Sequence, residues 1–537
     1  MQTVVCRIRP DRATHLWMSE PVRAKTLPGL LAEAAQNNRN ALAFRYRDEQ
    51  LTFGDWDELA SRLAGALAAS GVGRGDVVAL LLPTTPLYQI AYLAIGRLGA
   101  IATGINLRYR RTEIQHILEV SGASLLLGID ESHGTNLRAM LEGLPREGPD
   151  LKTLWISPAA LASSTRSVVE ELTAKTKPYT EIDARGDEPA TIVFTSGTTG
   201  IPKGAWYAHE NLMALAEIER RRHASGHPAP THLVTGISFA HVGFMARAAI
   251  PISHQTCTLI HDSFDPGAVL EAIERERLTD IGGFPTQVVM LMDHPDCPGR
   301  DLSSVETVLL GGAPSTPALI RRVCDVFGAR VSVRYSSTEM GIGSASLPDD
   351  PPEILATTVG KPTRGVEMRI AGEKGEPVQP GEWGEVLVRS AASMRGYWRN
   401  EEATRKTVDD EGFIHTGDIG SIDEAGYLRL RGRQSEMFIR GGFNVYPVEI
   451  ESRLGKHPKV ARAAVVGRPD DVLGEIGWAF VVPEDAETPP DLETLRLWVG
   501  EELASFKRPD GLTLVEDLPT TAMFKVDKKA LRGLFED

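Results

Sequence analysis

The sequence predicts an α/β protein. A large N-terminal part has parallel sheets covered by helices plus a small β-barrel-like section, and a small α+β part follows. Three observations point there. Residues 77–105 read strand, helix, strand (VVALLLP, TPLYQIAYLAIGRLGA, AIATGIN), an alternation that implies a parallel sheet under helices. From about residue 355 the segments turn short and alternating between Gly and Pro turns, which reads as an antiparallel meander or small barrel. A chain of 537 residues is also too long for one core.

The elements follow in order. Residues 28–70 hold an amphipathic helix, a short strand pair (ALAFRYRDEQLTF) and a second helix from Thr52 to Ser70, with Thr52 as N-cap and Asp55 three residues on. Gly71 to Gly75 precedes the strand Val77–Leu82 rather than following one, so it is a helix-to-strand turn and not a dinucleotide loop. Further strands are expected at Ala123–Leu127, Leu151–Ile156, His232–Val234, Thr256–Ile260, Asp280–Gly283 and Val308–Leu310. The antiparallel part takes 366–371, 384–389, 412–415 and 426–431. Beyond it come helix 447–455, strands 460–466 and 477–482, helix 491–503 and strand 512–515.

Composition narrows the function. Hydrophobic content of 42% and charged content of 24% fit a globular soluble chain. The net charge of −14 argues against a nucleic-acid partner but not against nucleotides, which local loops can hold. The cysteines, Cys6, Cys257, Cys297 and Cys324, are scattered and form no C-x-x-C, which suggests a reducing cytoplasm. His254, Cys257 and His261 lie in HQTCTLIHD, read as strand then turn. With no second ligand cluster, a buried cysteine between ordinary histidines is the better reading than a metal site. No signal core opens the sequence, the apolar run 90–105 is interrupted by Arg97, and no S-K-L ends it, so a cytoplasmic protein without an integral membrane segment is expected.

The stretch with most chemistry is Thr191 to Asn211, TIVFTSGTTGIPKGAWYAHEN. A β-branched run leads into Thr195, Ser196, Gly197, Thr198, Thr199 and Gly200, with Lys203 three residues later. Small residues let backbone N–H groups approach an anion, hydroxyls add donors, and lysine adds charge, so this is a loop for polyphosphate. Gly200 is not followed directly by Lys, so it is not a P-loop of the G-x-x-x-x-G-K kind.

This string resembles the phosphate loop of the adenylate-forming superfamily, which includes acyl-CoA synthetases, adenylation domains and luciferases. The likeness recurs in the family's order at Tyr335-Ser336-Ser337-Thr338-Glu339, Thr416-Gly417-Asp418, Gly432-Arg433 with Gly441-Gly442, and near Lys525, covering the chain from about residue 30. It implies a domain 1–434, a mobile lid domain 435–537 and a hinge near Ser435. It implies ATP, Mg²⁺ and coenzyme A as co-substrate, acting on a small-molecule carboxylic acid.

The resemblance also assigns roles. Tyr335 would lie against adenine, with Ser336 standing where glycine is usual. Thr338 would meet the α-phosphate, and Glu339 would hold Mg²⁺, for which a carboxylate is the right hard ligand. Gly311, Gly312, Ala313 and Pro314 would border adenine and the acyl group. Asp418 would bind the ribose hydroxyls and Arg433 the ribose or α-phosphate. Lys525 would bridge the attacking carboxylate and the phosphate during adenylation. His241 would be an aromatic gate to the acyl pocket. Arg440, Gly441, Gly442 and Phe443 would line the thiol tunnel.

The acyl pocket is expected from His241, Phe244, Gly283, Phe284, Gly341 and Gly343. The glycines leave space, and 340–344 has no Lys or Arg to pair a second carboxylate, so a hydrophobic acid is favoured over a diacid. Phe524 stands where the family has glycine before the lysine, which puts adenylation efficiency in question, since glycine turns freely and phenylalanine adds bulk. An acyl-CoA ligase is the leading reading. A half-reaction enzyme that completes the thioester from supplied acyl-adenylate, and an enzyme loading a separate carrier protein, stay open. So does a homodimer.

Overall fold

The computed structural model describes residues 24–132, 134–144, 147–195, 202–224, 232–235, 238–245, 247–261, 263–312, 315, 317–347, 349–521 and 525–535. Its largest sheet has seven strands. In spatial order they are Gly396–Tyr397, Gly204–Ala208, Pro189–Phe194, Ile101–Gly104, Val77–Leu81, Leu125–Ile129 and Lys152–Ile156. The last five run parallel. Every residue of Val77–Leu81 is buried, as in a strand covered on both faces. The helix Pro86–Arg97 is buried on all sides. Its one charge, Arg97, is paired with Asp57 and gives the Thr180 carbonyl a hydrogen bond of 3.2 Å, so the burial leaves no bare ion.

A second sheet joins Asp280–Gly283, Thr307–Gly311 and Arg330–Tyr335 in parallel, then Ser344–Ala345 and Lys361–Pro362 antiparallel. Ile281, Val308, Leu310, Val331 and Val333 turn one face into an apolar core with Val269, Val288 and Ile320. A small mixed sheet takes His232–Thr235, Thr258–His261, Leu42–Tyr46 and Glu49–Thr52. Val366–Ala371, Gly384–Ser390, Ile414–Ile422 and Leu428–Arg433 pair antiparallel, as expected; the sheet is open, and its outer strands do not pair with each other.

Beyond Ser435, Phe443–Val445, Phe438–Arg440, Gly474–Pro483, Val460–Asp470 and Gly511–Leu514 form one sheet around Phe438, Ile450, Val465, Val481 and Leu495. The first two of these strands were not expected. Gly441 and Gly442, at φ +57° and +84°, make the two-residue turn that lets Arg440 face Phe443 across a hairpin.

Other boundaries moved for local reasons. The strand expected at 123–127 is Leu125–Ile129, because Gly122 ends the preceding helix in the left-handed region at φ +68° and the connection consumes two residues. The strand expected at 412–415 runs Ile414–Ile422, and that expected at 426–431 is Leu428–Arg433. The turn between them is closed by Gly426 N–H to the Asp423 carbonyl at 2.8 Å. HQTCTLIHD is not strand then turn: His254 closes the helix Ala249–His254, and Thr258–His261 is the strand.

The cap at Thr52 is formed as read. Thr52 Oγ1 accepts the Asp55 N–H at 3.1 Å, and the Asp55 carboxylate accepts the Thr52 N–H at 2.9 Å. It starts the helix Phe53–Ala69, which seats Trp56, 1% exposed, at 4.5 Å between ring centres from Phe44. Thr52→Ala is expected to lower stability by about 1 kcal/mol and Trp56→Ala by about 3–5 kcal/mol. Urea unfolding followed by circular dichroism checks both, and equal effects would contradict the assignment of one to a cap and the other to the core.

Candidate active site

The strands that flank the phosphate-loop sequence, Pro189–Phe194 and Gly204–Ala208, pair antiparallel. The Thr195 N–H donates to the Lys203 carbonyl at 2.9 Å, joining the end of Pro189–Phe194 to the start of Gly204–Ala208. Ser196, Gly197, Thr198, Thr199 and Gly200 lie outside the described residues. The Lys203 ammonium stands 5.2 Å from the centre of the Tyr397 ring.

Tyr397 leads to the second motif. Its hydroxyl donates to Glu339 Oε1 at 2.9 Å. The strand Arg330–Tyr335 ends there, and the Ser337 hydroxyl accepts the N–H groups of Glu339 and Met340 at 3.2 Å each, which shapes the turn. The Thr338 carbonyl accepts the Tyr207 hydroxyl, and the Glu339 carbonyl accepts the Met394 N–H at 2.9 Å. Glu339 therefore stands on a backbone pinned from the strand Gly204–Ala208 and from the loop before Gly396–Tyr397. One carboxylate held this way suits a hard cation that brings its own phosphate oxygens. The described residues contain no group of three or more His, Cys, Asp or Glu that could hold a metal ion.

Asp418 links two sheets. Tyr335 Oη donates to Asp418 Oδ2 at 2.5 Å, and Arg433 Nε donates to Oδ1 at 3.1 Å. Burial raises the pKa of Asp418, against the lowering pull of Arg433 and the Tyr335 hydrogen bond. Burial and then the Asp418 charge push the Tyr335 hydroxyl up, so it stays a donor. Gly417 takes φ +69° to pass this corner. Ser336 follows Tyr335 and is half-buried.

The lysine comes from the far end of the chain. Gly312, at φ +78°, has Phe284 packed so closely that a Cβ would lie 2.5 Å from its ring, and that same point is 3.8 Å from Lys525 Cε. The Lys525 carbonyl accepts the Thr521 N–H at 2.7 Å, closing the loop that carries it. Lys525 is exposed by surface area. Partial desolvation and then the Arg433 charge lower its pKa, while Glu339, Asp418 and Glu436 act to raise it. Ala313, Pro314 and Phe524 lie outside the described residues.

His241 faces the same space. Burial first, then Lys525 and Arg247, pull its pKa down to about 3. Its Nδ1 accepts the Gly243 N–H at 3.1 Å, so the neutral ring carries its proton on Nε2. Phe244 stacks on Phe239 with centroids 3.5 Å apart.

Three placements differ from expectation. Gly341 and Gly343 do not leave open room: a Cβ on Gly341 would meet the Ala392 carbonyl at 2.8 Å, and one on Gly343 would meet Tyr335 at 3.1 Å. Both are glycines because protein atoms fill the space. A Cβ on Gly283 would meet Gln287 Oε1 at 3.0 Å. Arg440, Gly441, Gly442 and Phe443 are not gathered beside Gly312 with the rest. Arg440 pairs with Asp510 at 2.7 and 2.8 Å, Gly441 bonds the Leu473 carbonyl, and Phe443 stacks on Phe506 at 4.5 Å. Ser435 sits in the short 3₁₀ turn Gln434–Glu436 between the two parts.

Sequence reading missed Tyr397 and Tyr207. Tyr207 had a weak signal, being an apolar-period position just after the phosphate loop. Tyr397, in MRGYWRN, had none, because its partner Glu339 lies 58 positions away.

The AMP-binding enzyme family matches residues 31–398, and the AMP-binding enzyme C-terminal domain matches residues 449–525. A feruloyl-CoA synthase from Amycolatopsis is 35% identical over 507 residues, covering 93% of this chain and 97% of that protein. An indoleacetate–CoA ligase from Aromatoleum aromaticum is 33% identical over 503 residues, covering 92% and 94%. Among solved structures, the o-succinylbenzoate CoA synthetase of Bacillus subtilis, in complex with its acyl-adenylate intermediate, superposes with a TM-score of 0.81 at 28% identity, covering 95% of this chain and 98% of that one. ATP-bound MatB from Rhodopseudomonas palustris gives 0.83 at 28%, covering 95% and 99%. The chain belongs to the adenylate-forming AMP-binding enzyme family and is an acid–thiol ligase of the acyl-CoA synthetase kind.

Proposed function

We propose that this ligase activates an acid with an apolar body in two steps. The acid's carboxylate attacks the α-phosphorus of ATP, pyrophosphate leaves, and the acyl-adenylate forms. The coenzyme A thiol, losing its proton, then attacks the acyl carbon and AMP leaves. The observation that carries the reading is Lys525 beside Gly312, in the combined field of Arg433, Glu339 and Asp418.

Each residue has a part. Tyr335 and Asp418 hold the nucleoside, with Arg433 keeping the buried carboxylate charged. Lys203 and the loop from Thr195 hold the outer phosphates. Lys525 neutralises the two anions that must meet, and the attack gains most from fixed charges of this kind. Glu339, oriented by Tyr397, would hold Mg²⁺, which supplies further charge neutralisation on the phosphates when bound. His241, neutral, shapes the passage and carries no proton in either step. For the thioester step the part beyond Ser435 rotates, bringing Arg440 to Phe443 to the thiol path in place of Lys525. We assign the enzyme to the cytoplasm on its scattered cysteines; no helix among the described residues is long and apolar enough to cross a membrane. The half-reaction reading rests on Phe524, where a ring replaces glycine beside the lysine.

Glu339→Gln is expected to lower pyrophosphate release at limiting Mg²⁺ by roughly tenfold or more, with the circular dichroism spectrum retained; a Mg²⁺ titration superimposing on wild type would refute the assignment. Lys525→Ala is expected to slow adenylation by roughly a hundredfold and leave thioester formation from supplied acyl-adenylate intact, as read by two single-turnover assays. In the same pair of assays, adenylation that is negligible in wild type and restored by Phe524→Gly establishes the half-reaction reading instead. Ser435→Pro restricts φ and is expected to depress one half-reaction more than the other; wild-type rates in both would move the hinge elsewhere.

A further inference from the structure

The smaller part holds a lysine that the proposed chemistry does not use. Lys528 opens the helix Lys528–Gly533, soon after Lys525 in the chain. That helix is well anchored. Leu531 is fully buried and packs with Ala464, Val466, Phe480 and Leu518. The Asp527 carboxylate accepts the N–H groups of Lys529 and Ala530 at 3.1 and 3.0 Å, and the Asp527 N–H donates to the Pro519 carbonyl at 2.8 Å. From this base the Lys528 ammonium joins two carboxylates. It meets Glu451 Oε1 at 3.0 Å, on the helix Pro447–Leu454, and Glu436 Oε2 at 2.8 Å, in the turn Gln434–Glu436.

The two carboxylates are held unequally. Glu451 Oε1 also accepts the Val465 N–H at 2.8 Å, so the sheet fixes it. Among the described residues, the Glu436 carboxylate has Lys528 as its one hydrogen-bonded partner. Glu436 directly follows Ser435, and an open pocket lined by Thr416, Gly417, Arg433, Gln434 and Ser435 runs up to it. Other cations face it. Partial burial raises the Glu436 pKa, but Lys528, then Arg433 and Arg532, bring it below the usual value. Lys525 in turn feels Glu436, with Glu339 and Asp418, among the charges that favour its protonated form.

A carboxylate in that place has a second use for its charge. Swung onto Lys525, it would neutralise the cation that the adenylation step needs at the phosphate. Resting on the two-step reading above, we infer that Lys528 is a positioning residue for adenylation: it ties the Glu436 carboxylate to the Glu451 helix and so keeps it off Lys525, leaving that ammonium to ATP. Lys528 acts through Glu436 and touches no reacting atom.

The test pairs two measurements. Calorimetric titration with the α,β-methylene analogue of ATP and Mg²⁺ reads binding without chemistry, and a single-turnover assay reads adenylation. Lys528→Met keeps the length of the side chain and removes its charge. It is expected to weaken the analogue and slow adenylation by roughly fivefold each, the size set by one partly exposed ion pair. The double variant Lys528→Met with Glu436→Gln is expected to return to within about twofold of wild type, because the competing charge is gone. Lys528→Arg, which can keep both ion pairs, is expected to behave as wild type. A double variant no better than Lys528→Met shows that Lys528 only braces the fold and overturns the inference. A Lys528→Met that matches wild type in both measurements overturns it too. Wild type that forms no adenylate, while the calorimetric loss and rescue hold, leaves Lys528 its role toward ATP and counts against the two-step reading instead.

Discussion

A buried carboxylate needs partners, and at Asp418 that need joins the architecture to the chemistry. Asp418 stands on an inner strand of the open antiparallel sheet, Ile414–Ile422, and is buried. Tyr335 reaches it from the parallel sheet and Arg433 from the last strand before the hinge. Removing either donor would leave a charge with little water, a cost on the order of several kcal/mol. Two sheets are thus held together by one side chain close to the hinge, at the place where we propose the ribose is read.

The same charges surround the lysine of the smaller part. Lys525 is opposed by Arg433 and attracted by Glu339, Asp418 and Glu436. Arg431 meets Glu449 at 3.4 Å across the junction, while Lys528 meets Glu436 at 2.8 Å and Glu451 at 3.0 Å within the smaller part. A partly exposed ion pair such as Arg431–Glu449 adds little to holding the two parts together. Triphosphate would add negative charge beside Lys525 and favour this arrangement. Losing pyrophosphate would remove part of that pull.

The second sheet shows how parallel strands can serve two environments. One face of the strands 280–283, 307–311 and 330–335 is hydrocarbon core. The opposite face carries glycine, hydroxyl and guanidinium groups next to Glu219. The period of two makes this separation automatic once the register is set.

Much of this was legible in one dimension. The strand–helix rhythm, the Thr52 cap, the change to antiparallel strands and the order of the motifs all depend on residues close together in sequence, where periodicity and turn chemistry operate. The hairpin under the phosphate loop was not legible, because a strand run followed by small residues does not say whether strand or helix comes next. Nor was the reason for Gly341 and Gly343: a missing side chain looks the same whether ligand or protein fills the space. Residue identity determined which chemistry the chain can do, since a lysine, a carboxylate and a loop of small residues carry their charges and donors wherever they are placed. Only the tertiary structure decided which of them act together. Tyr397 meets Glu339, Arg247 meets Glu219 and Lys525 meets Gly312 across long stretches of chain, through strand order and packing that no local pattern records.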